Sequence, residues 1–504
     1  MDESESQLTT ETIAVQGPDT EAADAAATDA AAEATGTADT PKKRHRHAGG
    51  LPAGARLAAM ARDTPPGLSR AWRWILRIVL VFQVLLIVVV GTTTVLRFHY
   101  FSVIDEEAHY SYVQQIAEHG SLPVLGKTET SLQALAIAQG IYPRHTTIDP
   151  KTDGIGGQNY EAFQPPLYYI TAVPAFFSVG NYHDKIYALR FYGLLLLLVS
   201  VALAARLARV VLRERWMIGW AMTLVLFALP GVVVRFTTIG DLALAVPMAL
   251  LCATELWLAW QRHSTLRYVT AGVTAALAML SQLELVIFLP VFALVLLAEV
   301  LHRRSFVAWR SLILVALVPV VLVLPWLAFN EANYHMLTAG TLAIQEQTPI
   351  INAHHLHFSI GQLPNDTVNS IVDPVLPAEW GTSLYGQPAL AFLEQGLAML
   401  LVPGSILLIL SLGRRLFTIP SAILGLPYVL IVLEMWDIRY GQQWMIFARY
   451  TYPALPMLLI LAAIATETFR AQFLPVMVTI AATASLVALW VFYMFTLTGT
   501  YALH

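Results

Sequence analysis

The amino-acid sequence predicts an all-α fold, a polytopic bundle of about eleven transmembrane helices. Two observations support this prediction. Of the 504 residues, 57% are hydrophobic and only 13% are charged, and the mean hydropathy is +0.60. A soluble domain carries about 25% charged residues, so lipid-facing apolar surface must replace the missing charge. Apolar runs long enough to cross the hydrocarbon core, which takes about 20 residues, also recur along the chain.

Residues 1–70 differ from the rest of the chain in composition. Residues 1–40 consist mainly of Ala, Thr, Asp and Glu, and they have too little bulky apolar surface to offset the entropy lost on ordering. A basic patch follows at 42–46. Because this patch lies close to the first apolar run, we expect a disordered cytoplasmic tail held near anionic lipid, and no nucleic-acid partner.

The apolar runs define the predicted spans. The first covers 74–96 and is followed by a long loop of mixed polarity. The next apolar stretch, 166–180, is only about 15 residues long, and we expect it to form an interfacial helix of the first outer loop. The remaining spans are predicted at 187–205, 216–234, 238–260, 268–283, 285–301, 311–330, 389–412, 417–434, 453–469 and 472–496.

The arginines orient this bundle. Twelve of them fall in the turns on one side: Arg206, Arg209, Arg213, Arg215, Arg262, Arg267, Arg303, Arg304, Arg310, Arg414, Arg415 and Arg470. Beyond the first loop, the other side has four: Arg190, Arg235, Arg439 and Arg449. Cytoplasmic turns are rich in Lys and Arg, so the N-terminus is predicted inside and the C-terminus outside. A crossing by 166–180 would invert this bias. The outer face then contains two long segments, 97–186 and 331–388, and a shorter one at 435–452.

The first outer segment contains an acidic cluster with a nearby histidine, Asp105-Glu106-Glu107-Ala108-His109-Tyr110. On a helix, Asp105 and His109 lie near one face because they are four residues apart. Carboxylates at this position can bind a divalent cation or serve as a general base. The alternative is an acidic cap at the start of a helix, where the dipole favours Asp and Glu.

Four further candidates lie near the ends of apolar stretches. Gln164 and Tyr168 flank Pro165-Pro166, which also suits the start of a helix, and Tyr168 also suits an interfacial aromatic belt. Asp241 begins a span, as an N-cap residue would. Glu284 lies where two spans meet with almost no loop, and a carboxylate at that depth is costly unless it faces a polar cavity.

The arginines on the outer face need a reason, because positive charge is depleted there. Arg235 precedes a span, and Arg439 and Arg449 lie between the last long spans, with Tyr450 beside Arg449. Guanidinium groups bind phosphate in a bidentate manner. A surface salt bridge between Asp437 and one of these arginines is the alternative. Acid, histidine and arginine on one face together suit an enzyme that acts on a lipid-linked phosphate.

In these segments the chain resembles the GT-C superfamily of multi-spanning glycosyltransferases. The resemblance rests on 105–110 and on Gln164-Pro165-Pro166-Leu167-Tyr168-Tyr169, and Ile239-Gly240-Asp241 and 448–453 add to it. It covers roughly residues 72–460. There are two departures from the family pattern. Gln164 stands where histidine is more usual, and the chain ends just after its last span, without the soluble C-terminal domain of some members.

The resemblance implies a membrane domain over 71–500 that moves a sugar from a polyprenyl-phosphate donor to a glycan, lipid or protein acceptor outside the cell membrane. Asp105 would be the base, with Glu106 as its supporting acid and Asp241 as a further catalytic candidate. The candidates for substrate binding are His109, Gln164, Tyr168, Arg235, Glu284, Arg439, Arg449 and Tyr450. Some members bind a divalent cation and others do not, so a cation held by Asp105 and Glu106 stays open.

Two other functional classes stay open. A transporter or lipid flippase would carry rare charges near the middle of the bilayer and be accessible from both faces, whereas these candidates cluster at one face. A non-catalytic assembly partner for an envelope polysaccharide would tolerate substitution of Asp105 and Asp241.

Overall fold

The regular elements of the described residues are helices in this computed structural model. The structure describes residues 69–98, 101, 105–131, 134, 159–303, 306–343, 361, 401–402, 404–441, 448–466 and 474–501. The α-helices of these residues are α1 (Arg70–Arg97), α2 (Glu106–His119), α3 (Leu167–Phe177), α4 (Tyr182–Leu212), α5 (Trp216–Phe227), α6 (Pro230–Thr237), α7 (Leu242–Arg262), α8 (Thr265–Ser281), α9 (Phe288–Arg303), α10 (Phe306–Tyr334), α11 (Ile419–Trp436), α12 (Leu455–Ala465) and α13 (Leu474–Tyr501). Short 3-10 turns occupy Tyr160–Phe163, Arg213–Arg215, Leu283–Ile287, Gly413–Phe417 and Ala448–Thr451, and a π-helical turn occupies Asp437–Gly441. The predicted all-α class is confirmed for this part of the chain.

The helices are those of a membrane protein. Six stretches of the described residues are long and apolar enough to cross a membrane: Arg70–Arg97, Tyr182–Phe227, Leu242–Arg262, Leu283–Arg303, Leu312–Tyr334 and Ile419–Tyr440. Tyr182–Phe227 has 46 residues, about 69 Å of helix, which is long enough to cross twice. It contains the predicted span 187–205 and most of the predicted span 216–234. The total of about eleven spans and their orientation stay predictions.

Helix α7 lies at the centre of the bundle. Of its apolar window, 89% is buried inside the protein, compared with 28% for the window in α10. It packs against α4 and α8, and the completely buried Ala245 and Ala249 allow neighbouring helices to approach closely. By contrast, α1 and α10 expose large apolar side chains such as Ile78 and Leu314. The outer helices therefore present the apolar surface that suits lipid.

Helix α3 forms most of the stretch predicted to lie along the interface. It has 11 residues, about 16 Å of helix, which is roughly half of the ~30 Å hydrocarbon core. Its buried face packs on α2, where Tyr169 stacks on Tyr112 with the ring centroids 3.6 Å apart. The length of α3 suits a helix that does not cross, and its position at the membrane interface stays a prediction.

Several predictions fall on residues outside the described part of the chain. These are the disordered tail at 1–70, apart from its last two residues, most of the outer segment 331–388, and residues 442–447 of the outer segment 435–452.

A close approach at Gly193 sets the position of α6, which carries Arg235. A Cβ at Gly193 would lie 1.9 Å from the backbone oxygen of Phe236, so no side chain fits between α4 and α6. We expect Gly193→Ala to destabilise the protein by about 1–3 kcal/mol or more, because backbone must move to accommodate the methyl group. The thermal midpoint of the detergent-solubilised protein, followed by size-exclusion chromatography, measures this loss. Gly180→Ala is the matched control, since no atom lies within 4 Å of its Cβ position. Equal midpoints for the two variants would contradict the close approach.

Candidate active site

A cleft opens where the start of α2, the turn at Tyr160–Phe163, the connection from α6 to α7 and the turn at Ala448–Thr451 meet. Seven of the residues predicted at the site line it: Asp105, His109, Gln164, Arg235, Asp241, Arg449 and Tyr450. Residues that are far apart in the sequence therefore converge on one cleft.

Asp105 immediately precedes α2 and has a left-handed backbone conformation, with φ 78° and ψ −9°. Aspartate adopts this conformation more readily than most residues. Its side chain makes no capping hydrogen bond to α2. Instead, Oδ1 accepts a hydrogen bond from Tyr160 Oη at 3.0 Å, and Oδ2 accepts one from Arg449 Nη2 at 2.6 Å. A simple acidic helix cap therefore does not describe Asp105, whose carboxylate is held at the cleft from two sides.

The surroundings of the cleft set the charge of Asp105 and His109. Burial alone would raise the pKa of Asp105, but the neighbouring positive charges, with Arg449 and its hydrogen bond foremost, together outweigh burial, and the pKa lies below its ordinary value. Asp105 is therefore an anion at neutral pH. Burial lowers the pKa of His109 to about 4, so this ring is neutral at neutral pH. His109 Nδ1 lies 2.8 Å from Tyr169 Oη, and this contact orients the ring.

Glu106, predicted as the supporting acid, does not line the cleft. Its carboxylate accepts hydrogen bonds from Arg190 Nε at 2.8 Å and Arg190 Nη2 at 2.7 Å, and both side chains are completely buried. Arg190 Nη1 also donates to the backbone oxygen of Phe98 at 2.8 Å, and the backbone N–H of Ile239 donates to Glu106 Oε1 at 3.2 Å. Glu106 thus ties the start of α2 to α4 and to the connection before α7, and its role in this structure is to position neighbouring segments.

Three other predicted residues also lie outside the lining of the cleft. Tyr168 is completely buried, and its hydroxyl accepts a hydrogen bond from the backbone N–H of Gly240 at 3.2 Å. Glu284 lies in the turn at Leu283–Ile287, two residues after Gln282, which lines the cleft. Arg439 lies in the π-helical turn at Asp437–Gly441. Tyr168 and Glu284 therefore lie next to residues that line the cleft but do not line it themselves.

A divalent cation held by Asp105 and Glu106 does not fit this arrangement. The two carboxylates bind different partners, Asp105 with Tyr160 and Arg449, and Glu106 with Arg190. Across the described residues, no group of three or more His, Cys, Asp or Glu side chains is arranged to hold a metal ion.

Comparisons with known proteins give structural matches only. No family model matches the chain, and no curated protein matches it. ArnT from Cupriavidus metallidurans bound to undecaprenyl phosphate matches with 16% identity and a TM-score of 0.47, over 80% of this chain and 63% of that one. The Archaeoglobus fulgidus oligosaccharyltransferase in complex with Zn and sulfate matches with 16% identity and a TM-score of 0.46, over 80% and 52%. The chain spans less than two thirds of the length of each of these proteins.

Sequence reasoning missed several residues of this cleft. Glu161 and Gln282 line the cleft, and Tyr160 and Arg190 hold Asp105 and Glu106. Glu161 is buried, and burial together with the charges of Asp105 and Asp241 raises its pKa well above the ordinary value. The sequence signal for Glu161 was its position in the short segment just before the Pro165-Pro166 pair. Arg190 offered only its presence on a face depleted of positive charge.

Proposed function

We propose that the chain is a membrane glycosyltransferase that moves a sugar from a polyprenyl-phosphate donor to an acceptor on the extracytoplasmic face, with Asp105 as the base. The observation that carries the proposal is the meeting of Asp105 and Arg449 in one buried cleft, with Oδ2 and Nη2 2.6 Å apart. Transfer from a lipid phosphate needs a base for the acceptor hydroxyl and positive charge for the leaving phosphate. The cleft contains both.

Arg235 and Arg449 form the phosphate end of the cleft in this proposal. Both line it, and they are close enough for their positive charges to repel each other. Two guanidinium groups in a buried cleft attract an anion, and each can bind a phosphate through two parallel hydrogen bonds. The phosphate of the donor would bind to this pair, which would then stabilise the charge of the polyprenyl phosphate as it leaves.

Arrival of the phosphate would also activate Asp105. In the structure Arg449 is bound to Asp105 and depresses the pKa of that carboxyl, so Asp105 is a weak base. A donor phosphate competes for the same guanidinium, and as Arg449 turns to it the pKa of Asp105 rises. The acceptor oxygen then attacks the anomeric carbon, the bond from that carbon to the phosphate oxygen breaks, and the acceptor proton passes to Asp105.

The remaining parts of the proposal concern location and partners. The extracytoplasmic position of the cleft rests on the arginine distribution in the sequence. The acceptor is a glycan, a lipid or a protein, and the membrane is the cell membrane. The proposal does not include a divalent cation shared by Asp105 and Glu106, since Glu106 is paired with Arg190 and does not line the cleft.

The test is Arg449→Ala in the full-length protein reconstituted into membranes. We expect the affinity for polyprenyl phosphate to fall about tenfold or more, because a charge-assisted hydrogen-bonding partner is lost, and transfer from a polyprenyl-phosphate sugar to fall about 10²- to 10³-fold. Arg449→Lys keeps the charge without the planar fork and should be intermediate. Equilibrium binding of labelled undecaprenyl phosphate and a radiolabelled transfer assay measure the two effects.

Arg97→Ala is the matched control, because Arg97 is an exposed arginine at the end of α1. Normal lipid-phosphate affinity in Arg449→Ala would overturn the proposed phosphate end. Movement of the intact sugar lipid across the membrane, without transfer of its sugar, would favour the flippase class instead.

A further inference from the structure

Four residues that line the cleft each carry a buried side-chain oxygen that can accept a hydrogen bond. These oxygens are Glu161 Oε2, Gln164 Oε1, Asp241 Oδ2 and Gln282 Oε1, and we call the four residues the acceptor wall. Each residue is at most 8% exposed. None of the four oxygens has a hydrogen-bond partner within the part of the chain that the structure describes. A buried acceptor without a partner costs about 1–3 kcal/mol, so four together indicate a surface built for a ligand.

Local structure fixes the backbone at three of these residues. Tyr112 Oη donates to the backbone oxygen of Gln164 at 3.1 Å, and the backbone N–H of Glu161 donates to Asn159 Oδ1 at 3.1 Å. The Gln282 N–H donates to the backbone oxygen of Ala278 at 3.3 Å, and its own backbone oxygen accepts from Leu285 at 3.1 Å. The backbone that carries these side chains is therefore held in position before any ligand binds, which favours a selective site.

The chemistry of the acceptor wall selects the class of ligand. Oxygen acceptors need hydrogen-bond donors, and the oxygens of a phosphodiester only accept, so a phosphate does not suit this end of the cleft. Two of the four groups, on Gln164 and Gln282, are neutral amides. The described residues contain no three-ligand group for a metal ion. Hydroxyl groups meet these conditions, because each supplies a donor without adding charge.

We propose that the acceptor wall binds the hydroxyl groups of the sugar carried by the lipid phosphate, an inference that rests on the proposed function. Arg235 and Arg449 line the same cleft as the acceptor wall. One ligand can therefore reach both ends, with its phosphate on the arginines and its sugar ring against the oxygens. The acceptor wall then distinguishes the loaded donor from the bare polyprenyl phosphate that remains after transfer.

The experiment compares two probes on the full-length protein in nanodiscs. One probe is undecaprenyl phosphate, and the other is undecaprenyl phosphate carrying a pentose or a hexose, each tested separately. For the wild type we expect at least one sugar lipid to bind more tightly than the bare lipid. Gln282→Leu and Gln164→Leu each remove one acceptor, and each should reduce the ratio of the two affinities about threefold to tenfold. Gln115→Leu is the matched control, since Gln115 lies on α2 and bonds to Ser121 outside the cleft.

Each outcome decides between the proposals. A wild-type ratio of one for every sugar, or an unchanged ratio in both variants, overturns the acceptor wall while leaving the phosphate end intact. If binding of the sugar lipid required a divalent cation and EDTA abolished that binding, these oxygens would be metal ligands and the hydroxyl assignment would be overturned. Failure of the proposed function looks different, because undecaprenyl phosphate would then bind equally to wild type and to Arg449→Ala. A last outcome concerns free sugar glycosides. If they competed with the sugar lipid only in the presence of bare lipid phosphate, the acceptor wall would bind the acceptor sugar, and its assignment to the donor would be overturned.

Discussion

Asp105→Asn is expected to reduce sugar transfer about 10²- to 10⁴-fold, the range that a positioned general base contributes. The amide has nearly the shape of the carboxylate, but it cannot take the proton of the acceptor hydroxyl. The measurement is initial transfer rate in reconstituted membranes, normalised to the amount of folded protein. Asp184→Asn is the matched control, because Asp184 is an exposed aspartate in the first turn of α4.

A second effect of the same substitution separates catalysis from folding. Arg449 is bound to Asp105 Oδ2, so removal of the carboxylate charge frees the guanidinium for a phosphate. We therefore expect Asp105→Asn to bind undecaprenyl phosphate more tightly than wild type while it transfers more slowly. A misfolded variant would lose both properties. Full transfer activity at normal expression would remove Asp105 from the mechanism.

Composition and apolar periodicity were sufficient for the fold class, because a membrane helix needs only a long apolar segment to form. They were insufficient to predict which residues each membrane crossing contains. Helix α4 and the following helix make one apolar stretch of 46 residues, and only the tertiary structure determines how such a stretch divides. Short helices such as α3 carry too few residues for hydropathy to decide their placement.

Motifs located the cleft but not the division of roles within it. Asp105 and Glu106 are adjacent, and sequence alone gives no reason for one to face the cleft and the other to face Arg190. The difference comes from the left-handed backbone at Asp105, with φ 78°, which lies outside the helical pattern used to align Asp105 with His109. Arg190 is 84 residues from Glu106, and no local pattern links the two.

The pair of Glu106 and Arg190 carries the second large expected effect. Both side chains are completely buried, so Glu106→Gln leaves the Arg190 charge without its counter-charge, and Arg190→Met does the same to Glu106. Breaking one side of a buried pair costs about 3–5 kcal/mol. We expect either single substitution to lower the thermal midpoint sharply. Transfer should also fall, because Asp105 immediately precedes the start of α2, which this pair ties to α4.

The double variant Glu106→Gln/Arg190→Met distinguishes a buried ion pair from two independently important residues. With both charges gone, the desolvation cost of each is removed, and part of the lost stability should return. Transfer should recover less, because the hydrogen bonds from Arg190 to Phe98 and from Ile239 to Glu106, which hold the segments around the start of α2, are weakened or lost. Glu118→Gln is the control. Glu118 lies on the same helix as Glu106 and forms a partly exposed pair with Lys185 of α4, so its loss should change stability little. Additive losses in the double variant would mean that the two residues do not act as a pair.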